Sequence, residues 1–296
     1  MSSLVSVIIA TYRRDTAFEK ALFSLAEQTY QNFEIVVVDD NANKEWNKKV
    51  QDIVEKFKAE NKQIPLTHIV NSENRGSAKT RNAGIEAAKG EYITFLDDDD
   101  IYLPKKIETQ VQNVSESDAD FGITDLYLYS EGGILVDKRV RTYIKNTDEQ
   151  ALLKYHLMHH ITGTDTLMFR KSYLEKIGGF DPIDVGDEFY LVQKAILGGG
   201  KFSYLNGCYV KAHVHTGEGN LSSGKSKIEG ENKLFEYKKT FFERLDKKTV
   251  RYIRVRHFAV LAYAYLRMKK FVPFTLNIFK AVCISPAHTV GILLHK

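Results

Sequence analysis

Asp97-Asp98-Asp99-Asp100 is where this sequence most plainly offers chemistry. Four consecutive carboxylates repel one another, so a compact fold keeps them only where a cation or hydrogen-bond donors offset the charge. An all-oxygen set suits a hard divalent ion, Mg2+ or Mn2+, with positions left open for phosphate oxygens. The EF-hand spacing of alternating acids, a glycine and a distal glutamate is absent. A second acidic pair, Asp39-Asp40, precedes Asn41; a carboxylate there either accepts from a base imide or ribose hydroxyl or caps the next helix. Asp187 opens a helical pattern and is either its N-cap or a general base beside an acceptor hydroxyl. Tyr12 offers a ring for stacking on a base, and Arg75, beside the turn residue Gly76, offers a fork of donors for phosphate oxygens. His213 and His215, two apart on a strand, share a face and precede the glycine-rich run 216–224, whose composition suits a lid. His159 and His160 are read as non-ligating.

These residues need elements to hold them. Val5-Ser6-Val7-Ile8-Ile9-Ala10, Glu34 to Val38, Glu91 to Leu96 and, more weakly, Leu66 to Val70 are short β-branched runs suited to strands buried on both faces of a parallel sheet. Helix-period segments alternate with them over Thr16 to Gln28, Lys44 to Asn61 and Ser77 to Lys89, the last with Gly90 as its C-cap. The alternation predicts a doubly wound, Rossmann-like α/β sheet, which binds ligands at the carboxyl ends of its strands, where Tyr12, Asp39-Asp40, Arg75 and the acidic quartet fall. Ala10-Thr11-Tyr12-Arg13-Arg14 contains no glycine, which excludes a dinucleotide-binding turn, and no glycine-rich Lys-Ser/Thr loop is present for a P-loop nucleotidase. Beyond residue 115 the pattern predicts strands over Phe121 to Tyr129, Ile134 to Val140, Thr166 to Phe169 and Phe202 to Val210, a helix over Asp187 to Leu197, and helices over Val250 to Lys269 and Val272 to Leu294, parted by Pro273. The expected division is a catalytic domain over 1–224, with a ligand-binding half over 1–115 and an inserted acceptor-side half over 116–224, and a basic helical extension over 225–296.

The 296 residues carry 42 basic and 38 acidic side chains, and 43% hydrophobic content is enough for a large core, which excludes disorder and collagen-like chains. From Lys225 to Lys296 there are 16 Lys/Arg against 5 Asp/Glu, leaving 26 against 33 in residues 1–224. An acidic body with a basic tail divides chemistry from attachment to something anionic. Basic and aromatic residues interleaved along the tail describe a helix lying at an anionic membrane surface; a contact between copies of the chain, or packing against the catalytic core, would use the same pattern. An acidic body without a stacking platform argues against nucleic acid. Two cysteines, Cys208 and Cys283, exclude a disulfide scaffold and point to a reducing compartment. With no secretion signal or apolar span of about 20 residues, the expectation is a cytoplasmic protein, peripheral on the inner face of the cell membrane.

Together, Val5 to Tyr12, Val36 to Asp40, Asn74-Arg75-Gly76, Thr80-Arg81-Asn82, Gly90 to Asp100 and Gly178-Gly179-Phe180-Asp181 resemble the GT-A-fold, family 2 inverting glycosyltransferases that use nucleotide-diphosphate sugars. The resemblance implies a mostly parallel GT-A sheet followed here by a C-terminal helical extension. It implies that Ala10, Thr11 and Tyr12 line the nucleotide pocket, that Asp40 contacts the base, and that Arg75, Arg81, Asp97 and Asp98 belong to the nucleotide-sugar site. By the same resemblance Asp99 is the direct metal ligand within the Asp-x-Asp motif, joined by Asp97 and His215. Asp187 matches the catalytic base, with Gly186 where the family usually has another acid, and His215 matches by position the histidine that closes the donor site. The implied partners are a nucleotide-diphosphate sugar, UDP-linked, and a glycan, lipid-linked or protein-linked glycan acceptor in cell-envelope polysaccharide assembly. A polyprenyl-phosphate sugar transferase, whose acceptor is already ionised, and a noncatalytic nucleotide-sugar-binding scaffold are the alternatives. A nucleotidyltransferase lacks its glycine-rich basic loop.

Overall fold

The structure is a computed structural model that describes residues 2–130, 132–183, 186–214 and 224–294. The chain forms two compact units, one of residues 1–149 and 161–215, the other of 150–160 and 216–296. Residues 150–160, expected within the catalytic half, therefore pack with the C-terminal helices.

In the first unit, β1 (Val5–Thr11) and β2 (Phe33–Asp39) are buried nearly throughout, as their unbroken apolar runs require. β1 lies between β2 and β4 (Tyr92–Phe95), and β3 (Leu66–Val70) extends the sheet beyond β2, all parallel. β5 (Ile101–Tyr102), β6 (Phe121–Ser130), β7 (Leu135–Arg139), β8 (Leu167–Arg170) and β9 (Phe202–Val214) complete a sheet of order β3-β2-β1-β4-β8-β6-β9-β5, with β7 paired to β6. Polarity reverses at β8, antiparallel to both β4 and β6. Tyr92 pairs with Arg170 and Thr94 with Met168, a register that, carried past the strand ends, sets Asp97 opposite Asp165.

The helices α1 (Thr16–Ser24), α2 (Lys44–Glu60), α3 (Ser77–Ala87) and α4 (Lys106–Glu116) follow β1, β2, β3 and β5. A core of Val5, Val7, Ile9, Phe18, Leu22, Ile35, Val37, Val54 and Phe57 joins β1 and β2 to α1 and α2. Gly90 does not cap α3, which ends at Ala88 in an extended conformation. It is required for a different reason: a Cβ there would fall 2.6 Å from Ser6 N and 2.8 Å from Tyr92 O, backbone atoms that cannot yield.

In the second unit, α5 (Glu149–His159) packs with the helices that follow α6 (Lys171–Lys176) and α7 (Asp187–Leu197) in the chain: α8 (Gly224–Lys239), α9 (Lys247–Arg267), α10 (Phe271–Ile284) and α11 (Pro286–Leu294). Asp246 caps α9 through Thr249 N at 2.8 Å and holds Lys154 of α5 at 2.9 Å. The expected helix from Val272 to Leu294 is two helices broken at Ser285, which is extended (φ −164°). Pro273 sits in the first turn of α10, where its missing N–H costs nothing, and so does not separate helices. Among the described residues no helix is long and apolar enough to cross a membrane.

Candidate active site at the sheet's carboxyl edge

Arg81, on the inward face of α3, joins two distant parts of the sequence. Its NH1 lies 2.8 Å from Asp187 Oδ2 and its NH2 lies 2.7 Å from Asp97 Oδ1. Its side chain is only 11% exposed; burial pulls its pKa down, but the two carboxylates more than offset this and hold it above its ordinary value. A planar fork can serve two carboxylates at once, which explains arginine here rather than lysine.

Asp187 is the first residue of α7, and its N-cap is Gly186 in the left-handed region (φ 80°), so the carboxylate is not the capping group. Ser77 Oγ donates to its Oδ2 at 3.2 Å and Glu188 N to its Oδ1 at 2.9 Å. Asn82 sets the approach to α7 by a reciprocal pair with Phe180: its Nδ2 donates to Phe180 O at 2.8 Å, and Phe180 N donates to its Oδ1 at 2.9 Å. Phe180 packs edge-on against Phe95 of β4. Glu188, which sequence reasoning passed over, is raised to about 8 by burial and by Asp187, so near neutrality it is a protonated acid beside the carboxylate.

The acidic quartet divides into an upper and a lower layer. Asp98 Oδ2 accepts from Tyr12 N at 3.1 Å, and Asp99 pairs with Arg14 at 2.8 Å. Asp99 is thus held by a guanidinium in this structure. Burial and Asp99 push Asp98 up to about 7. Below them, Asp100 accepts from His213 N at 2.8 Å, and Asp165 accepts from Asp97 N at 2.5 Å. Burial, together with their neighbouring acids, raises Asp100 and Asp165 well above the carboxylate range, and the two share a hydrogen bond. Carboxylate oxygens of Asp97, Asp100 and Asp165 lie within 4.8 Å of one another.

This all-oxygen donor set fits a hard divalent cation, whose charge would reverse the upward pKa shifts. Asp97 and Asp99 reach solvent, with side chains 33% and 17% exposed, whereas Asp100 and Asp165 satisfy each other underneath. Sequence reasoning missed Asp165 because it lies on a single 3-10 turn (Thr164–Thr166); only the register of β4 against β8 reveals it. Lys106 forms the floor, fully buried, with Nζ 2.8 Å from Tyr102 OH and bonded to Thr94 Oγ1; burial lowers its pKa well below the usual lysine value.

At the other strand ends, Ala10 and Thr11 finish β1, and Tyr12 is 43% exposed with Arg13 over its ring. Asp40 is buried, and its carboxylate accepts from four donors: Asn71 Nδ2 at 2.7 Å, Arg75 N at 2.8 Å, Gly76 N at 2.9 Å and Asn74 Nδ2 at 3.1 Å. It thereby organises the loop between β3 and α3, and a base imide would have to replace one donor, of which Asn74 is the most distant. The Arg75 side chain is exposed. Asp39 Oδ2 is buried without a hydrogen-bond partner, 3.9 Å from His68 Nε2, itself unpartnered. His215 and residues 216–223 of the glycine-rich run after it lie outside the described residues.

Residues 6–178 match the family described as Glycosyl transferase family 2. The chain belongs to that family. This family 2 glycosyltransferase is 28% identical over 237 residues to an uncharacterized glycosyltransferase of Methanocaldococcus jannaschii, covering 79% of this chain and 77% of that one. It is 38% identical over 132 residues to glycosyltransferase GlyG of Streptococcus pneumoniae, and 30% identical over 149 residues to TuaG of Bacillus subtilis, a protein named for teichuronic acid biosynthesis. Those two matches cover 44% and 50% of this chain, and 42% and 57% of the relatives' lengths. The fold is similar to that of S. aureus TarS 1–349 in complex with UDP-GlcNAc (TM-score 0.61, 18% identity, covering 93% of this chain and 90% of that one). It is likewise similar to the mannosyltransferase PcManGT of Pyrobaculum calidifontis in complex with GDP-Man and Mn2+ (TM-score 0.62, 17% identity, covering 98% and 79%). The fold of this family 2 enzyme is GT-A, a mixed α/β sheet followed by a helical C-terminal region.

Proposed function

We propose that this glycosyltransferase moves a sugar from a nucleotide-diphosphate donor, UDP-linked, to an acceptor hydroxyl with inversion at the anomeric carbon, in the assembly of an envelope polysaccharide. The observation that carries the reading is the Arg81 bridge, which keeps one carboxylate, Asp187, one side chain away from the acidic end of β4. Asp187 takes the proton of the acceptor hydroxyl, whose oxygen bonds to the anomeric carbon as the bond to the β-phosphate oxygen breaks and the diphosphate leaves with the electron pair. Arg81 and Ser77 fix the Asp187 oxygens so that little reorganisation accompanies the transfer. Tyr12 stacks on the base, Ala10 and Thr11 form the wall below it, Asp40 meets the base in place of Asn74, and Arg75 and Asp98 lie toward the ribose and diphosphate. Asp97, at the solvent side of the cluster with Asp100 and Asp165, and Asp99, once it leaves Arg14, would hold Mn2+ or Mg2+, which when bound supplies positive charge to the leaving diphosphate. The UDP-GlcNAc of the TarS complex supports a UDP-linked donor, the GDP-Man of PcManGT supports the wider class of nucleotide-diphosphate sugars, its Mn2+ supports the metal, and the teichuronic acid name of TuaG supports the pathway class.

A thermal-shift panel of nucleotide sugars with and without Mn2+ identifies the donor, because a ligand that binds only the native state raises its melting temperature. With that donor, Asp187→Asn keeps the thermal shift while transfer falls by roughly 10²–10⁴-fold, the usual worth of a general base. Unchanged turnover in this variant would falsify the assignment.

A further inference from the structure

From Lys247 to Lys296 the sequence has ten Lys and Arg and no Asp or Glu. Within this stretch α10 leaves large apolar side chains in water: Val272, Leu276 and Phe279 are 71%, 55% and 66% exposed. With Cys283, also exposed, they follow the spacing i, i+4, i+7, i+11 and form one stripe along the helix. Asn277 and Ala281, the buried residues of α10, lie on the opposite side, so the helix is packed by its small face and presents its large one. Lys269 and Lys270, just ahead of the helix, and Lys280 on its flank are exposed. In the same unit a cleft of about 450 Å³ combines three cations, Lys247, Arg251 and Arg254, one turn apart along α9, with one acid, Glu243, and apolar walls that include Phe242 and Ile284, the last residue of α10.

An apolar stripe edged by cations matches a surface that is oily inside and negatively charged at its rim. At about 1.5 Å per residue, the 14 residues of α10 fall short of the ~30 Å hydrocarbon core, so the helix suits the interface and not a span. A second copy of the chain would bring like charges face to face with no acid in this stretch to pair them, and a nucleic acid would leave the stripe in water. We propose that α10 and the cations around it form a docking surface for an anionic lipid bilayer. Phe279 and Leu276 enter among the acyl chains, Lys269, Lys270 and Lys280 meet lipid phosphates, and the α9 cleft takes a further headgroup. This inference is independent of the sugar-transfer reading.

The test is flotation of the full chain with vesicles of phosphatidylcholine alone or mixed with phosphatidylglycerol. The chain is expected to float with the mixed vesicles and about tenfold less with the neutral ones, and to be partly released at high ionic strength. Leu276→Glu with Phe279→Glu lowers recovery on mixed vesicles about tenfold at an unchanged melting temperature, since both side chains already stand in water. Equal recovery on both lipids, or recovery indifferent to the double substitution, overturns the proposal. So does a dimer of the parent chain in light scattering that the substitutions convert to monomer, an outcome that assigns the face to a second copy.

Discussion

Around Arg81, the carboxylates of Asp97, Asp100, Asp165 and Asp187 are gathered at the end of one strand, each bonded to a guanidinium, an amide or another acid. Along α9 and α10, cations are spread over the surface with no acid between them. Like charges that are buried together must be offset locally, or the fold does not keep them. Exposed charges are screened by water and can remain until a partner of opposite sign arrives. The first arrangement therefore constrains side-chain geometry tightly, and the second constrains mainly the sign of what it meets.

Removing the central cation tests this contrast most severely. Arg81→Met leaves the buried Asp187 and the partly exposed Asp97 without their shared partner, with an expected loss of about 3 kcal/mol in stability, the low end for a buried pair because Asp97 reaches water, read by urea unfolding, and no measurable transfer. Arg81→Lys should not restore transfer, because a single ammonium cannot reach both acids in the same geometry.

Titration separates the regions more gently. Asp98, lifted from 3.8 to about 7, is protonated in the native state and ionised in the unfolded chain between those values. The native state then holds more protons, so this residue's contribution to stability falls as pH rises from about 4 to about 7. Lys238, buried on α8 near Arg256, is lowered from 10.5 to about 7. There the unfolded chain holds more protons, so stability rises as pH goes from about 7 to about 10.5. Unfolding free energies against pH should show Asp98→Asn flattening the acid-side slope and Lys238→Met flattening the alkaline one. An alkaline slope untouched by Lys238→Met would show that burial together with like charge is not what shifts a group here, the premise on which the comparison rests.

The smallest effect is expected on the exposed helix face. Leu276→Ser, at a side chain 55% exposed, should change stability by no more than about 0.5 kcal/mol in the same urea assay.

Much of this was legible in the sequence wherever local pattern determined structure. The unbroken run from Val5 to Ala10, the alternation that places Asp39-Asp40 and the quartet at one edge, and the helix Asp187–Leu197 all follow from the period of apolar residues. Contacts made across the sheet were not legible. Asp165 meets Asp97 only because β8 runs against β4, and the Arg81 bridge reaches Asp187, 106 positions further along the chain. Asp40 was readable as a polar strand end, yet its four donors come from the loop after β3, whose path no periodicity encodes. The break at Ser285 and the placement of 150–160 with the C-terminal helices likewise depend on tertiary packing.

The reversal of strand direction at β8 has an evolutionary consequence. Because the polypeptide leaves β4 at Phe95 and re-enters its ladder at β8 from the opposite heading, the acids just beyond that ladder, Asp97 and Asp165, face each other. Of the chain between them, β6 is built into the sheet and Lys106 into the floor, so a lineage is free to vary only stretches such as β7, whose residues all stand in water, without disturbing that meeting point.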